Sequence, residues 1–153
     1  MAIMFLGFQA CAQFQVKDLL FTSGSWHGQL TYLDYTSGKP YSMAANLQVS
    51  LTGDHLGYIR RFEYPKEPQA NSSDTIYINK QHFGEAKLVQ YSKVSASEFS
   101  WITEQMGEDG NDHRKAILRQ TYLIQADQYR IIKEVQFIGN AGWIKRHEYH
   151  FTR

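Results

Sequence analysis

The stretch "YSMAANLQVSL", Tyr41 to Leu51, decides the fold. Tyr41, Met43, Ala45, Leu47, Val49 and Leu51 fall on one phase of a two-residue period, while Ser42, Asn46, Gln48 and Ser50 fall on the other. A β-strand sends alternate side chains to opposite faces, so the first group points into a core and the second into water. A helical reading would scatter the same residues around its circumference.

The period extends in both directions. From Gly24 onward, strand-like runs are read at about residues 25–35, 42–51, 56–64, 74–79, 86–94, 98–106, 115–125, 128–138 and 143–152, nine in all. Between them lie Ser37-Gly38-Lys39-Pro40, Thr52-Gly53-Asp54, "PKEPQANSSD" (65–74), Asp109-Gly110-Asn111-Asp112, Ala126-Asp127 and Gly139-Asn140-Ala141-Gly142. Gly, Asn and Asp tolerate the positive φ that tight hairpins need, so consecutive strands pair antiparallel as a meander. The loop at about 65–73 is long enough to act as a flap. Upstream, "FQVKDLLFT" (14–22) places Val16, Leu19 and Leu20 at helical spacing. Curling the meander until its last strand meets its first removes edges that an open sheet must protect. The expected fold is therefore all-β: an antiparallel meander closed into a barrel of 8–10 strands behind a short N-terminal helix, a single domain over 13–153. A two-sheet sandwich is the other arrangement these strands allow.

The totals agree with a folded, β-rich chain. Its 153 residues include ten Tyr, nine Phe and three Trp, and aromatic residues suit pleated, half-buried surfaces. Sixteen Lys plus Arg against fifteen Asp plus Glu leave a formal charge of +1. No global field draws in nucleic acid, and none is expected as a partner.

The first twelve residues read differently. Ile3 to Phe8 is a short apolar run, and Ala10-Cys11-Ala12 has the small residues of a signal-peptidase site, with Gln13 first in the mature chain. The expectation is a truncated signal segment at 1–12 and an exported, periplasmic or extracellular protein. A segment packed on the domain and a lipid-anchored Cys11 are the alternatives. The run is too short to span a bilayer. Cys11 is the one cysteine, so residues 13–153 contain no disulfide, thiolate nucleophile or cysteine metal site.

Polar residues intrude on the apolar phase of several strands. Arg60 lies between Tyr58 and Phe62, Gln120 beside Tyr122, Lys133 upstream of Phe137, and Lys145 and His147 ahead of Tyr149. A solid core rarely accepts unpaired charges, since each costs about 3–5 kcal/mol without its partner. A hollow barrel holding water or ligand does accept them. Tyr58, Phe62, Gln120, Tyr122, Phe137 and Tyr149 would line such a hollow, with Arg60, Lys133, Lys145 and His147 biasing it toward anions. The competing reading has the long cations snorkel to solvent or pair with Asp34, Glu104 or Glu134.

"KDLLFTSGSWHG" (17–28), a helical turn leading into Gly24-Ser25-Trp26, resembles the Gly-x-Trp signature of lipocalins and the wider calycin group. The resemblance implies that Trp26 closes one end of the barrel and that a basic residue of the last strand, Arg153 in preference to Arg146, packs on it as part of a structural plug. The Thr-Asp-Tyr element of that group is missing, with Ala126-Asp127-Gln128-Tyr129 a loose echo. A divergent, bacterial-type member is implied, binding a small hydrophobic or amphipathic molecule, anionic and fatty-acid-like.

The same residues allow other chemistries. Gly24, Trp26 and Gly28 also match the Gly-x-Trp-x-Gly pattern of nitrobindin-like heme barrels, which implies heme with His147 as axial ligand. No metal site is expected, because His147 and His150 are three apart in a strand and face opposite ways. An isomerase- or cyclase-type cavity using Arg60, Lys133 and His147 is a third reading, and a barrel filled by its own side chains with function on its surface is a fourth. No Gly-x-Ser-x-Gly elbow, phosphate loop or calcium loop is present. Asn71-Ser72-Ser73 matches a glycosylation sequon, without meaning in a bacterial source.

Overall fold

The computed structural model describes residues 14–153. It contains ten strands: β1 (Gly24–Leu33), β2 (Pro40–Leu51), β3 (Gly57–Glu63), β4 (Ser72–Tyr77), β5 (His82–Phe83), β6 (Ala86–Ser95), β7 (Glu98–Asp109), β8 (Arg114–Gln125), β9 (Gln128–Phe137) and β10 (Ile144–Thr152). They form one antiparallel sheet in the order β4-β3-β2-β1-β10-β9-β8-β7-β6-β5. The last strand pairs with the first, from His27 opposite Thr152 to Tyr32 opposite His147. The expected meander is present, and the sheet is a nearly closed antiparallel barrel. The suspected signal segment, including Cys11, lies outside the described residues.

Nine of the strands are those read from the period. The tenth, β5, has two residues, too few for any periodicity to register. It nonetheless closes the ring: Ile78 bridges Phe83, and the Gly84 N–H donates to the Tyr77 carbonyl at 2.9 Å. Gly84 has φ +66, where a residue without Cβ is favoured.

Closure is incomplete below β5. β4 is bonded to β3 along its length but meets β5 only at its far end. β6 reaches β7 only as far as Lys87 opposite Glu104. Ser72–Ile76 and Gln105–Asp109 therefore have no sheet partner on their facing sides among the described residues. A notch in the barrel wall results.

The Gly-x-Trp-x-Gly pattern has a physical basis here. Gly24 opens β1 at φ +114. Gly28 sits where β1 crosses β10 so closely that a Cβ would lie 1.9 Å from the His150 carbonyl oxygen. Between them, Trp26 is fully buried and donates its indole N–H to the Thr22 carbonyl at 2.7 Å.

The N-terminal helix is a 3-10 helix, Val16–Thr22. With three residues per turn it buries Leu19 and Thr22 on one face and leaves Leu20 exposed, against the apolar face that the α-helical spacing of Val16, Leu19 and Leu20 predicts. Asp18 fastens it to β6 by accepting from Lys93 Nζ at 2.5 Å and Tyr91 Oη at 3.2 Å. The helix, Trp26, Leu47, Val49, Phe99, Trp101, Ile124, Tyr129 and Phe151 pack into one core that fills this end of the barrel.

Candidate functional site

Directly opposed residues of antiparallel strands share a face, so the registers give the layers of the interior. One row is apolar and aromatic: Trp101 opposite Tyr122, Tyr122 opposite Ile131, Ile131 opposite Tyr149, Tyr149 opposite Leu30. The next row toward the open end is polar: Thr103, Gln120, Lys133, His147, Tyr32 and Tyr41, each opposite the next. Packed core gives way to a polar cup at that boundary.

Below the boundary the tyrosines bond to one another. Tyr58 and Tyr129 share a hydrogen bond of 2.9 Å, Tyr58 and Thr22 one of 3.2 Å, and Tyr64 and Tyr149 one of 2.7 Å. Burial pushes the Tyr58 hydroxyl up to about 12, more than its hydrogen bonds to Thr22 and Tyr129 restore. Burial likewise raises Tyr122, Tyr129 and Tyr149. These phenols are neutral donors at physiological pH.

Arg60 crosses the boundary from β3. It is 7% exposed, donates from Nε and Nη2 to Asp74 at 3.0 and 2.6 Å, and places Nη1 at 3.4 Å from the Tyr122 hydroxyl. Phe62, Phe83 and Tyr122 present their rings at 5.4, 6.0 and 5.8 Å from its guanidinium carbon. Burial opposes the charge, but Tyr122 and Asp74 outweigh it and hold Arg60 protonated. A cavity of about 370 Å³ lies over this group and opens through the wall notch. Its lining joins Arg60, Gln120 and Tyr122 with Thr103, Phe83 and Leu118.

A second charged group stands at the cup's rim. Asp109, the last residue of β7, is 7% exposed and accepts from Lys133 Nζ at 3.1 Å, Arg146 Nε at 2.6 Å and the Tyr35 hydroxyl at 3.0 and 3.2 Å. Burial pushes its carboxyl up, yet Lys133, followed by Arg146 and Tyr35, more than compensates and holds it below the usual range. The Arg146 guanidinium lies 4.6 Å from the Tyr35 ring and 5.6 Å from Phe137. His147 packs edge-on to Tyr149 at 5.4 Å. Burial and then the Lys133 charge lower its pKa from 6.5 to about 4, so it is neutral at pH 7.

The structure thus divides the expected site residues. Arg60, Gln120 and Tyr122 share the cavity, and Lys133 and His147 continue the polar row. Tyr58 and Phe62 belong to the packed core, Tyr149 packs against that core, and Phe137 joins a small cluster with Ala116 and Val135. Lys145 is corrected: it lies outside the barrel, donating to Glu148. Lys145 faces Glu134 and His147 faces Lys133, so Arg146 is an extra residue, a β-bulge that reverses the phase upstream. Arg146 takes the interior position, and Trp143 turns outward beneath Arg119 at 3.7 Å. Arg153 is the cation over Trp26, at 4.3 Å.

Asp74, Asp109 and Tyr35 escaped the sequence reading as interior groups, and Arg146 entered it only as an alternative cation for Trp26. The suggested partners serve elsewhere: Asp34 accepts the Thr36 and Ser37 N–H groups of its own turn, and Glu104 holds Arg119. The available signal was the imbalance itself, because interior cations require interior carboxylates.

The surroundings of His147 do not fit a heme. Lys133 stands opposite it and Tyr149 covers one ring edge. His147 lines neither the cavity beneath the notch nor the spaces of about 210, 250 and 520 Å³ elsewhere on the barrel. Arg60 and Lys133 are committed to different carboxylates. Among the described residues, no group of three or more His, Cys, Asp or Glu could hold a metal ion, and no helix is long and apolar enough to cross a membrane.

No family model matches the chain, and no curated protein sequence matches it. Among solved structures it is similar to a DUF3598-family protein of unknown function from Nostoc punctiforme PCC 73102, with a TM-score of 0.50 and 14% identity. The match covers 92% of this chain and 49% of that one, so this chain spans about half the length of that neighbour. The shared property is the fold: an antiparallel barrel, nearly closed.

Proposed function

We propose that this protein binds a small amphipathic molecule with an acidic head, of the fatty-acid kind, in the cup that opens through the wall notch. The observation that carries this reading is the Arg60 cavity, a concave space with both a polar and an apolar wall. Arg60, Gln120 and Tyr122 supply polar contacts, while Phe83, Leu118 and Ile76 supply apolar ones. Its volume of about 370 Å³ is near the lower end of ligand pockets, which run from roughly 300 to 1,000 Å³. A short chain fits that volume better than a long one. Export is proposed from Ile3–Phe8 and Ala10–Ala12 alone, and sequencing the N-terminus of the secreted protein tests it.

The interior supplies its own optical reporter. Trp101 stacks on Tyr122 at 4.4 Å and 6°, and Tyr122 lines the cavity, so occupancy alters Trp101 emission. Titration with octanoate and octanol followed at Trp101 is expected to saturate at one equivalent. Gln120→Phe narrows the cavity without adding an indole and abolishes the response while leaving the thermal midpoint within a few degrees. A variant that still binds, or a wild-type protein that binds neither probe, refutes the reading.

A further inference from the structure

We infer that Thr103 is a specificity-determining residue of the Arg60 cavity: its buried hydroxyl, with the Gln120 amide opposite it, donates to an oxygen of the head group that Arg60 attracts. The inference rests on the binding reading above and names a contact residue of the same site.

Buried polar side chains that hold a fold together are bonded to a neighbour. Asp18 is bonded to Lys93 and Tyr91, Thr22 to the Leu19 carbonyl and Tyr58, Arg60 to Asp74, and Asp109 to Lys133, Arg146 and Tyr35. Thr103 is buried like these, at 2% exposed, yet its hydroxyl has no partner among the described residues. The oxygen is not sealed in, because among those residues Trp101 Nε1 is the one polar side-chain atom both enclosed and unpartnered. What reaches the hydroxyl is the cavity that Thr103 lines.

The donors beside it are also uncommitted. Thr103 stands directly opposite Gln120 across β7 and β8, where facing side chains lie about 5 Å apart at Cβ. Tyr122 donates to Gln120 Oε1, which leaves the Nε2 hydrogens without an acceptor among the described residues. Arg60 commits Nε and Nη2 to Asp74 but holds Tyr122 only by a long contact of 3.4 Å from Nη1. A hydroxyl, an amide and a guanidinium edge therefore line one space with hydrogens to give. A carboxylate accepts about four hydrogen bonds and can take all three donors. A hydrocarbon takes none, so it gains nothing from the Thr103 hydroxyl. Glu85 belongs to the same lining but is exposed, where water screens its repulsion of an anion.

The test follows binding of octanoate, and of hexane as a probe without a head group, at Trp101, together with urea unfolding of the unliganded protein. Thr103→Val keeps the branched shape and removes the hydroxyl. It is expected to weaken octanoate by about tenfold, the loss of one hydrogen bond to a charged oxygen, and to leave hexane unchanged. The urea midpoint stays equal or rises, because the hydroxyl has no partner to lose. Thr103→Ser, which returns the hydroxyl, restores octanoate binding. An octanoate affinity unmoved by Thr103→Val or unrestored by Thr103→Ser, an equal loss for hexane, or a lower urea midpoint overturns the inference and leaves the cavity reading standing. If the wild-type protein binds neither probe, the cavity reading falls and takes the inference with it.

Discussion

Trp26 is held from three sides by groups that the sequence sets far apart. Thr22 takes its indole proton, Tyr129 meets it edge-on at 5.7 Å, and Arg153 covers its face while donating to the Phe21 and Ala126 carbonyls at 3.1 and 3.4 Å. Removing the cation exposes the plug. Arg153→Ala is expected to cost about 1–2 kcal/mol, read as a lower urea midpoint at constant slope. His147 gives a separate prediction. Its pKa falls from 6.5 to about 4 on folding, so between those values the unfolded chain binds a proton that the folded chain refuses. Stability therefore declines as pH falls through that window, and His147→Gln is expected to flatten the decline. Trp26 and Arg153 were legible because a short motif announces them. Asp109 was not, since an Asp before Gly110 reads as a turn residue whatever its side chain reaches.

The elements differ from their sequence reading wherever a strand departs from strict alternation. Inserting Arg146 into β10 changes neither composition nor propensity, yet it reverses the facing of Trp143 and Lys145. Nothing local in the sequence marks it. Gly28 is the opposite case, a residue whose identity is explained by a single contact. The Cβ of Gly28→Ala would meet the backbone of β10 rather than a movable side chain, and only parting β1 from β10 relieves the clash. A loss of about 3 kcal/mol is expected, with amide exchange in β1 and β10 accelerating more than in β7 and β8. A comparable loss in all four strands would show that the contact does not act at the seam.

At the scale of the molecule, aromatic packing and polar cup share one barrel with a boundary one residue row thick. The interior phenols make the packed part testable. Unfolded tyrosines ionise near 10, whereas Tyr58 is held up to about 12 and Tyr122, Tyr129 and Tyr149 are also raised. The folded state thus keeps protons that the unfolded state releases, and stability falls as pH rises beyond 10. Absorbance at 295 nm is expected to show exposed tyrosines titrating smoothly and the buried set ionising only with unfolding. The barrel class was legible because alternation and turn chemistry agree along the chain. The boundary was not, since neighbours such as Gln120, Lys133 and His147 come from separate strands, and only the register reveals that they adjoin.

Among the described residues, β1 with β10 is the one seam that joins strands distant along the chain, because every other strand pairs with a sequence neighbour. The remaining hairpins can form early and in any order, leaving most of the entropic toll of circularisation to a single late docking event. Stopped-flow experiments on Gly28→Ala should accordingly locate its defect in refolding speed, whereas a chain recut at Lys80 and joined near its old ends should recover the same cylinder.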